Sequence, residues 1–427
     1  MSDNLTKTTH ATTEMRLLWT WQAIVSRLTG VGKGYYVWLA ISTALLTAGV
    51  AAGLHAFVVG YGHIYNVTRE VPWGILISTY VFFVVTSTGL CLVSSIGHVF
   101  GSKDFMPIAK RSVYLSILTI VAGFLVMFFE TENVMNMVIY NVLSPNLHSN
   151  IWWMGTLYGA YLFFMAIEFA CLQFDRHRLA MYAGFLGVVS GIAAHSNLGA
   201  VFGMLTARPF WYGPYMPIYF IASAMMSGCA AIILFTWLAS KINREPIQGS
   251  MARAVDVTRQ VGILMICTIM FFQTWKILAG LVGGDAEREA FLALLTGAYA
   301  FNFWTLEVLA GMVIPLTLYI LSRGTNMKML FWGSVSMIIG IFFMRYDLVV
   351  VGQIVPAQYE MAVNEYSALL SYTPSAHEIL IVLGGIGLVG TLFMLGEKIF
   401  AAHRVEDHAE ETYAETLPAL ETVERTE

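Results

Sequence analysis

The stretch AAHSNLGAVFGMLTARPFWYGPYMP, from Ala193 to Pro217, sets a histidine, an amide and an arginine inside strongly apolar sequence. His195 is of the side-chain type whose unperturbed pKa, near 6.5, suits proton exchange, and it can both donate and accept hydrogen bonds. Asn197 can orient a carbonyl, while Gly199 and Gly203, four apart, leave clearance on one helix face. Arg208 is followed by Phe210, Trp211 and Tyr212, and Pro209, Pro214 and Pro217 stiffen the link around them. These types suit a flat ring whose oxygens need hydrogen-bond partners and whose chemistry moves protons. The aromatic residues serve equally well as an interfacial belt.

Other costly groups fall in or beside apolar runs: His55, His98, Glu130, Glu168, Lys276, Asn302, Glu307, Arg345 and Asp347. An ionisable group within a membrane span marks function unless it is paired or hydrated. Structural glue, such as an ion pair of Lys276 with Glu307, is the competing reading. His195, Lys276, Glu307, Arg345 and Asp347 all fall toward one end of their spans, a one-sidedness that glue does not require. Glu168 and His98 lie toward the other end.

The elements that position these residues must be membrane helices. Of 427 residues 57% are hydrophobic and only 12% charged, and the mean hydropathy is +0.68; soluble domains carry about a quarter charged residues. Ten runs reach the roughly 20 residues that cross a bilayer: 35–60, 73–100, 112–129, 151–173, 179–204, 216–239, 261–282, 297–321, 329–350 and 376–400. The domain plan is an N-terminal arm (1–33), a ten-helix domain (34–403) and an acidic tail (404–427). The N-terminus shows no short apolar core before a small-residue cleavage site, so insertion is expected to rely on the first span. Lysine and arginine crowd the arm, alternate links and the C-terminus. The opposite links hold only Arg69, Arg208 and Arg288, and Arg345 lies near the same end. Positive residues collect on the cytoplasmic side, so both termini are expected inside.

A net charge of −4 without a basic patch gives no reason for a nucleic-acid partner. Cys91, Cys171, Cys229 and Cys267 lie in apolar runs and form no C-x-x-C pair, so no iron–sulfur or zinc site is encoded. Three functions could use the one-sided cluster. A single b-type haem between His55 and His195 is one, and a secondary transporter is another, although no inverted repeat stands out. The third is a quinone pocket near the outer interface.

The motifs favour the third. VPWGILISTYVFFVVTSTG at the second span, YLFFMAIEFA at the fourth and HSNLGAVFGMLTARPFWYGPYMPIYFIASA at the fifth and sixth occur in one order. FWTLEVLAGMVIPL and FMRYDLVVVGQ follow at the eighth and ninth. Together they resemble the NrfD/PsrC family of polysulfide-reductase-type membrane subunits, in its ten-helix branch, over about 72–353. That resemblance implies two four-helix bundles plus one flanking helix at each end, in a bacterial or archaeal cytoplasmic membrane. It implies menaquinone or ubiquinone as substrate, with no haem, metal or iron–sulfur cluster in this chain. It further implies a ferredoxin-like iron–sulfur partner and a catalytic subunit: a molybdopterin enzyme, a hydrogenase or a multihaem cytochrome. His195, Asn197, Arg208 and Trp73 are the expected quinone-pocket residues, and Glu168, Glu307 and Lys276 the expected proton-path residues.

Overall fold

In hydrocarbon a chain must satisfy its own N–H and C=O groups, and a helix does so within one segment. The computed structural model describes residues 21–29, 31–174, 176–356 and 369–400, and among them every regular element is a helix. Numbered along the chain, these begin with α1 (Trp21–Leu28), α2 (Lys33–Val59), α3 (Tyr61–Ile64), α4 (Ile75–His98) and α5 (Met106–Glu130). Next come α6 (Val134–Leu143), α7 (Asn150–Gln173), α8 (His177–Gly203), α9 (Met216–Asn243) and α10 (Gly249–Val282). The last are α11 (Asp285–Leu295), α12 (Asn302–Ser322), α13 (Met327–Ile354) and α14 (Ala376–Ile399). Ten of the described helices are long and apolar enough to cross a membrane, all but α1, α3, α6 and α11. The chain is an all-α, multi-pass membrane protein, as its hydropathy requires.

Local chemistry sets the helix ends. Pro107 and Pro217 each stand in a first turn, where a missing N–H costs nothing. Asn326 caps α13 by accepting from the Lys328 and Met329 amides, both at 3.2 Å. Within α12, Asn302–Val313 is wound as a π-helix that becomes α-helical at Ile314. Pro315 cannot donate to the carbonyl four residues back and its ring crowds that carbonyl, so a wider turn relieves the clash. The wider winding carries Glu307 into the interior, where it is 2% exposed.

The centre belongs to α4, the most buried span, which packs on α5 along one side and on α9 along the other. Gly89 and Gly228 allow that second contact. A Cβ at Gly89 would stand 1.8 Å from the Ala224 carbonyl oxygen, and one at Gly228 would stand 2.3 Å from the Gly89 carbonyl carbon. Gly311 and Gly340 bring α12 and α13 together in the same way.

The chain divides into two units. Val31–Leu395 holds the spans, and the described part of the smaller unit is 21–29 with 396–400, where Arg27 Nη1 donates to the Ile399 carbonyl at 2.9 Å. The acidic tail, 404–427, and most of the N-terminal arm lie outside the described residues.

Gly89→Val is expected to destabilise the protein by about 2 kcal/mol or more, since backbone must move to admit the branch. Gly159→Val, where nothing lies within 4 Å, is the control. Unfolding in detergent should separate the two; equal stability would show that the α4–α9 crossing yields readily.

Candidate functional site

The buried residues of α7 are Tyr158, Tyr161, Met165, Glu168 and Leu172, a stripe spaced by threes and fours. Opposite them α8 carries glycines. A Cβ at Gly184 would lie 2.7 Å from Glu168 Oε1, one at Gly187 3.0 Å from Met165 Sδ, and one at Gly191 3.1 Å from the Tyr161 ring. The blank positions of α8 thus receive the large and polar side chains of α7.

One turn past Gly191 stands His195, fully buried. Its Nε2 lies 3.0 Å from the Phe220 carbonyl, and its Nδ1 lies 3.1 Å from the Tyr158 hydroxyl. A carbonyl only accepts, so the neutral ring carries its proton on Nε2 and Nδ1 accepts from Tyr158. Both nitrogens are therefore engaged, and a haem iron would find neither free.

The same Phe220 carbonyl accepts from Ser223 Oγ at 2.9 Å, and Ser223 Oγ in turn accepts from Arg345 Nη2. Arg345 is fully buried, with its guanidinium carbon 4.9 Å from the Phe220 ring centre. Its Nε and Nη1 have no hydrogen-bond partner among the described residues, and the Asp347 carboxylate lies beside Glu307 and Asn302. Glu307 accepts from Gln273 Nε2 at 3.1 Å and is in electrostatic reach of Arg345 and Lys276. Lys276 places its ammonium 4.0 Å from the centre of the Phe210 ring instead of hydrogen bonding Glu307.

Trp73, Phe202 and Trp211 form a second cluster, with Trp73 stacked on Trp211 at 5.4 Å and Phe202 edge-on to both. The Gln353 side chain pairs with the Trp73 backbone, donating Nε2 to its carbonyl at 2.8 Å and accepting its N–H at 3.0 Å. Arg208 Nη1 donates to the Gln353 and Val355 carbonyls at 3.1 and 2.8 Å, and its Nη2 donates to the Glu70 carbonyl at 3.3 Å. Burial lowers the pKa of this guanidinium. A cavity of about 120 Å³ opens beside it, between Arg208, Pro209, Phe210, Ala286, Gly352 and Pro356.

Of the four expected pocket residues, Trp73 and Arg208 meet through Gln353. His195 lies inward of them, reached through Phe202, which stacks on Phe220 at 5.7 Å. Asn197 does not join them: its Nδ2 donates to the Asn150 carbonyl at 2.7 Å, at the start of α7. Of the expected proton-path residues, Glu307 and Lys276 share one electrostatic neighbourhood. Glu168 stands apart, with Oε1 3.5 Å from His98 Nδ1. His55 pairs with His377 at 3.1 Å. Tyr158, Ser223 and Gln353 escape a reading by hydropathy, because neutral polar residues barely disturb it. The signal for Tyr158 is its place in the α7 stripe, ten residues before Glu168 on the same face.

The family model for polysulphide reductase, NrfD, matches residues 63–357. A component of the selenate reductase of Mesobacillus selenatarsenatis is 24% identical over 83% of this chain and 91% of its own length. The Hdr-like menaquinol oxidoreductase integral membrane subunit of Archaeoglobus fulgidus is 24% identical, with 84% of this chain and 92% of the relative covered. A putative dimethyl sulfoxide reductase membrane subunit of Halobacterium salinarum is 24% identical over 90% and 95%. With ten helices long and apolar enough to cross a membrane among the described residues, and a match across the spans that hold the buried polar groups, the chain belongs to the NrfD family of polysulphide reductase membrane subunits.

Proposed function

We propose that this chain is the quinone-interacting membrane anchor of a respiratory oxidoreductase complex in a bacterial or archaeal cytoplasmic membrane, with both termini in the cytoplasm. It passes electrons between menaquinone or ubiquinone and a ferredoxin-like iron–sulfur subunit, which serves a catalytic subunit such as a molybdopterin enzyme, a hydrogenase or a multihaem cytochrome. That relatives are subunits of a selenate reductase and of an Hdr-like menaquinol oxidoreductase supports this reading. The observation that carries it is the buried chain Tyr158, His195, Phe220 carbonyl, Ser223 and Arg345, lying behind the aromatic wall of Trp73, Phe202 and Trp211.

Quinol oxidation releases two electrons and two protons, so the site needs an acceptor for protons and a rigid hold on the ring. The cavity beside Arg208 is small against the ~300 Å³ and upward of ordinary ligand pockets. It suits a headgroup whose tail stays in lipid. Arg208 lines the cavity, and Gln353, whose carbonyl accepts from Arg208, ties the Trp73 backbone to the same rim. His195, held by the Phe220 carbonyl in one tautomer, keeps Nδ1 as the acceptor of the Tyr158 hydroxyl, so a proton reaches the imidazole by way of Tyr158 on α7. Glu168, beside His98, is the proton-carrying group at the opposite end, and Glu307 and Lys276 mark a second polar route through α10 and α12. The partner docks at the arginine-poor end, because electrons must cross a short gap from the cavity.

His195→Leu is expected to abolish quinol-linked turnover while the complex still assembles and still reacts with artificial electron donors. Failure to assemble, or normal quinol turnover, assigns His195 to helix packing alone. Glu168→Gln keeps size and hydrogen bonding but removes titration. It should slow turnover or uncouple protons in vesicles without changing quinol affinity, and wild-type rates with wild-type proton stoichiometry would remove Glu168 from the path. Cysteines at Arg69, His148 and Tyr212 should cross-link the iron–sulfur subunit; capture only from Lys103 or Arg253 would reverse the assignment of sides.

A further inference from the structure

The link of α5 to α7 carries α6, a helix of ten residues with none buried in the protein. Met135, Val138, Ile139 and Val142 fall at i, i+3, i+4 and i+7, on one face, and Val138 and Val142 are 56% and 75% exposed. Tyr140 and Met137 lie opposite, and Asn136 and Leu143 lie on the flank between the two faces. No Asp, Glu, Lys or Arg occurs from Asn133 to Leu147. Such a face on a protein in water would be a liability.

The register of α6 against α7 says what covers it. Asn141 Nδ2 donates to Thr156 Oγ1 at 3.3 Å, and Asn141 Oδ1 would lie 3.6 Å from a Cβ at Gly155. Thr156 is six residues into α7, so the C-terminal end of α6 sits roughly 9 Å inside the level at which that span begins. Carbonyls left over at a helix end bond readily to water, but in hydrocarbon they need protein donors. Near this end the Tyr140 carbonyl accepts from the Ser144 amide at 3.0 Å and the Asn141 carbonyl from Trp152 Nε1 at 2.8 Å, and in the link beyond, Trp153 Nε1 donates to the Leu147 carbonyl at 2.9 Å. On α7 itself Ile151, Trp153 and Phe163 are likewise exposed apolar residues.

We infer that α6 is a membrane-embedded interfacial helix, lying in one leaflet with Met135, Val138, Ile139 and Val142 against lipid acyl chains and Asn136 and Tyr140 toward the headgroups. Its partner is the bilayer itself. The placement of α6 does not depend on the quinone reading; its consequence, that the iron–sulfur subunit docks beside α6 and leaves its apolar face uncovered, rests on the proposed partner.

The test is spin labelling at Val138→Cys, Val142→Cys and Asn136→Cys, with exposed Cys267 replaced by serine, in the whole complex and in the isolated chain, both reconstituted in phosphatidylcholine vesicles. Molecular oxygen partitions into acyl chains and a water-soluble nickel chelate does not. Oxygen collisions should exceed nickel collisions at 138 and 142, with the order reversed at 136, and the pattern should be the same with and without the partner subunits. Nickel access at 138 and 142 would overturn the inference in favour of an aqueous face. Loss of oxygen access on assembly would overturn it in favour of a protein-docking face, and loss on raising the protein-to-lipid ratio in favour of self-association.

Discussion

A guanidinium retains its proton at any physiological pH, so a buried arginine imposes its charge on whatever surrounds it. Arg345 is fully enclosed by protein. One of its nitrogens reaches Ser223, aromatic faces of Tyr219 and Phe220 lie against it, and Glu307 supplies opposite charge at a distance. Ser223 must then turn toward Arg345 while its own proton goes to the Phe220 carbonyl. That carbonyl also takes the His195 proton, which fixes the imidazole tautomer and directs Nδ1 to Tyr158. Four helices, α7, α8, α9 and α13, are thus bound by one charge and its consequences. Along the sequence the His195 and Arg345 regions stand far apart, and the hydrogen bonds join them.

Low tolerance for open backbone in hydrocarbon explains how much of the fold is legible in the sequence. Nine of the ten expected spans start and end within about six residues of the observed helices, because apolar length is what the bilayer measures. The exception is α10, which starts at Gly249 although its apolar run begins only at 261. Its first three turns, SMARAVDVTRQ, are helical but charged, and hydropathy registers the solvent change rather than the helix. Short helices such as α6 and α11 escape for a related reason: neither is long enough to cross.

The site is legible by charge and by motif. Arg208 stands out as a cation in an apolar sequence and Trp73 by its place in the second-span motif, and Gln353 brings the two together. What joins them, the Gln353 amide against the Trp73 backbone, requires tertiary contact over 280 positions that no local pattern encodes. Asn197 fails to join for the same reason. Two residues from His195 along a helix, it points about 200° around the axis, and the acceptor it meets there is the Asn150 carbonyl.

The glycines of α8 carry a last consequence. Gly184, Gly187 and Gly191 contribute no chemistry, yet each is an imprint of one side chain on α7, whether Glu168, Met165 or Tyr161. Information about the polar stripe is therefore stored twice, once as a cast on α7 and once as its mould on α8. A larger residue on α8 and a shorter one on α7 are complementary changes, so the two helices can drift only as a pair. The relief of this face can be read from either half of that double record, including the three positions that carry no side chain at all.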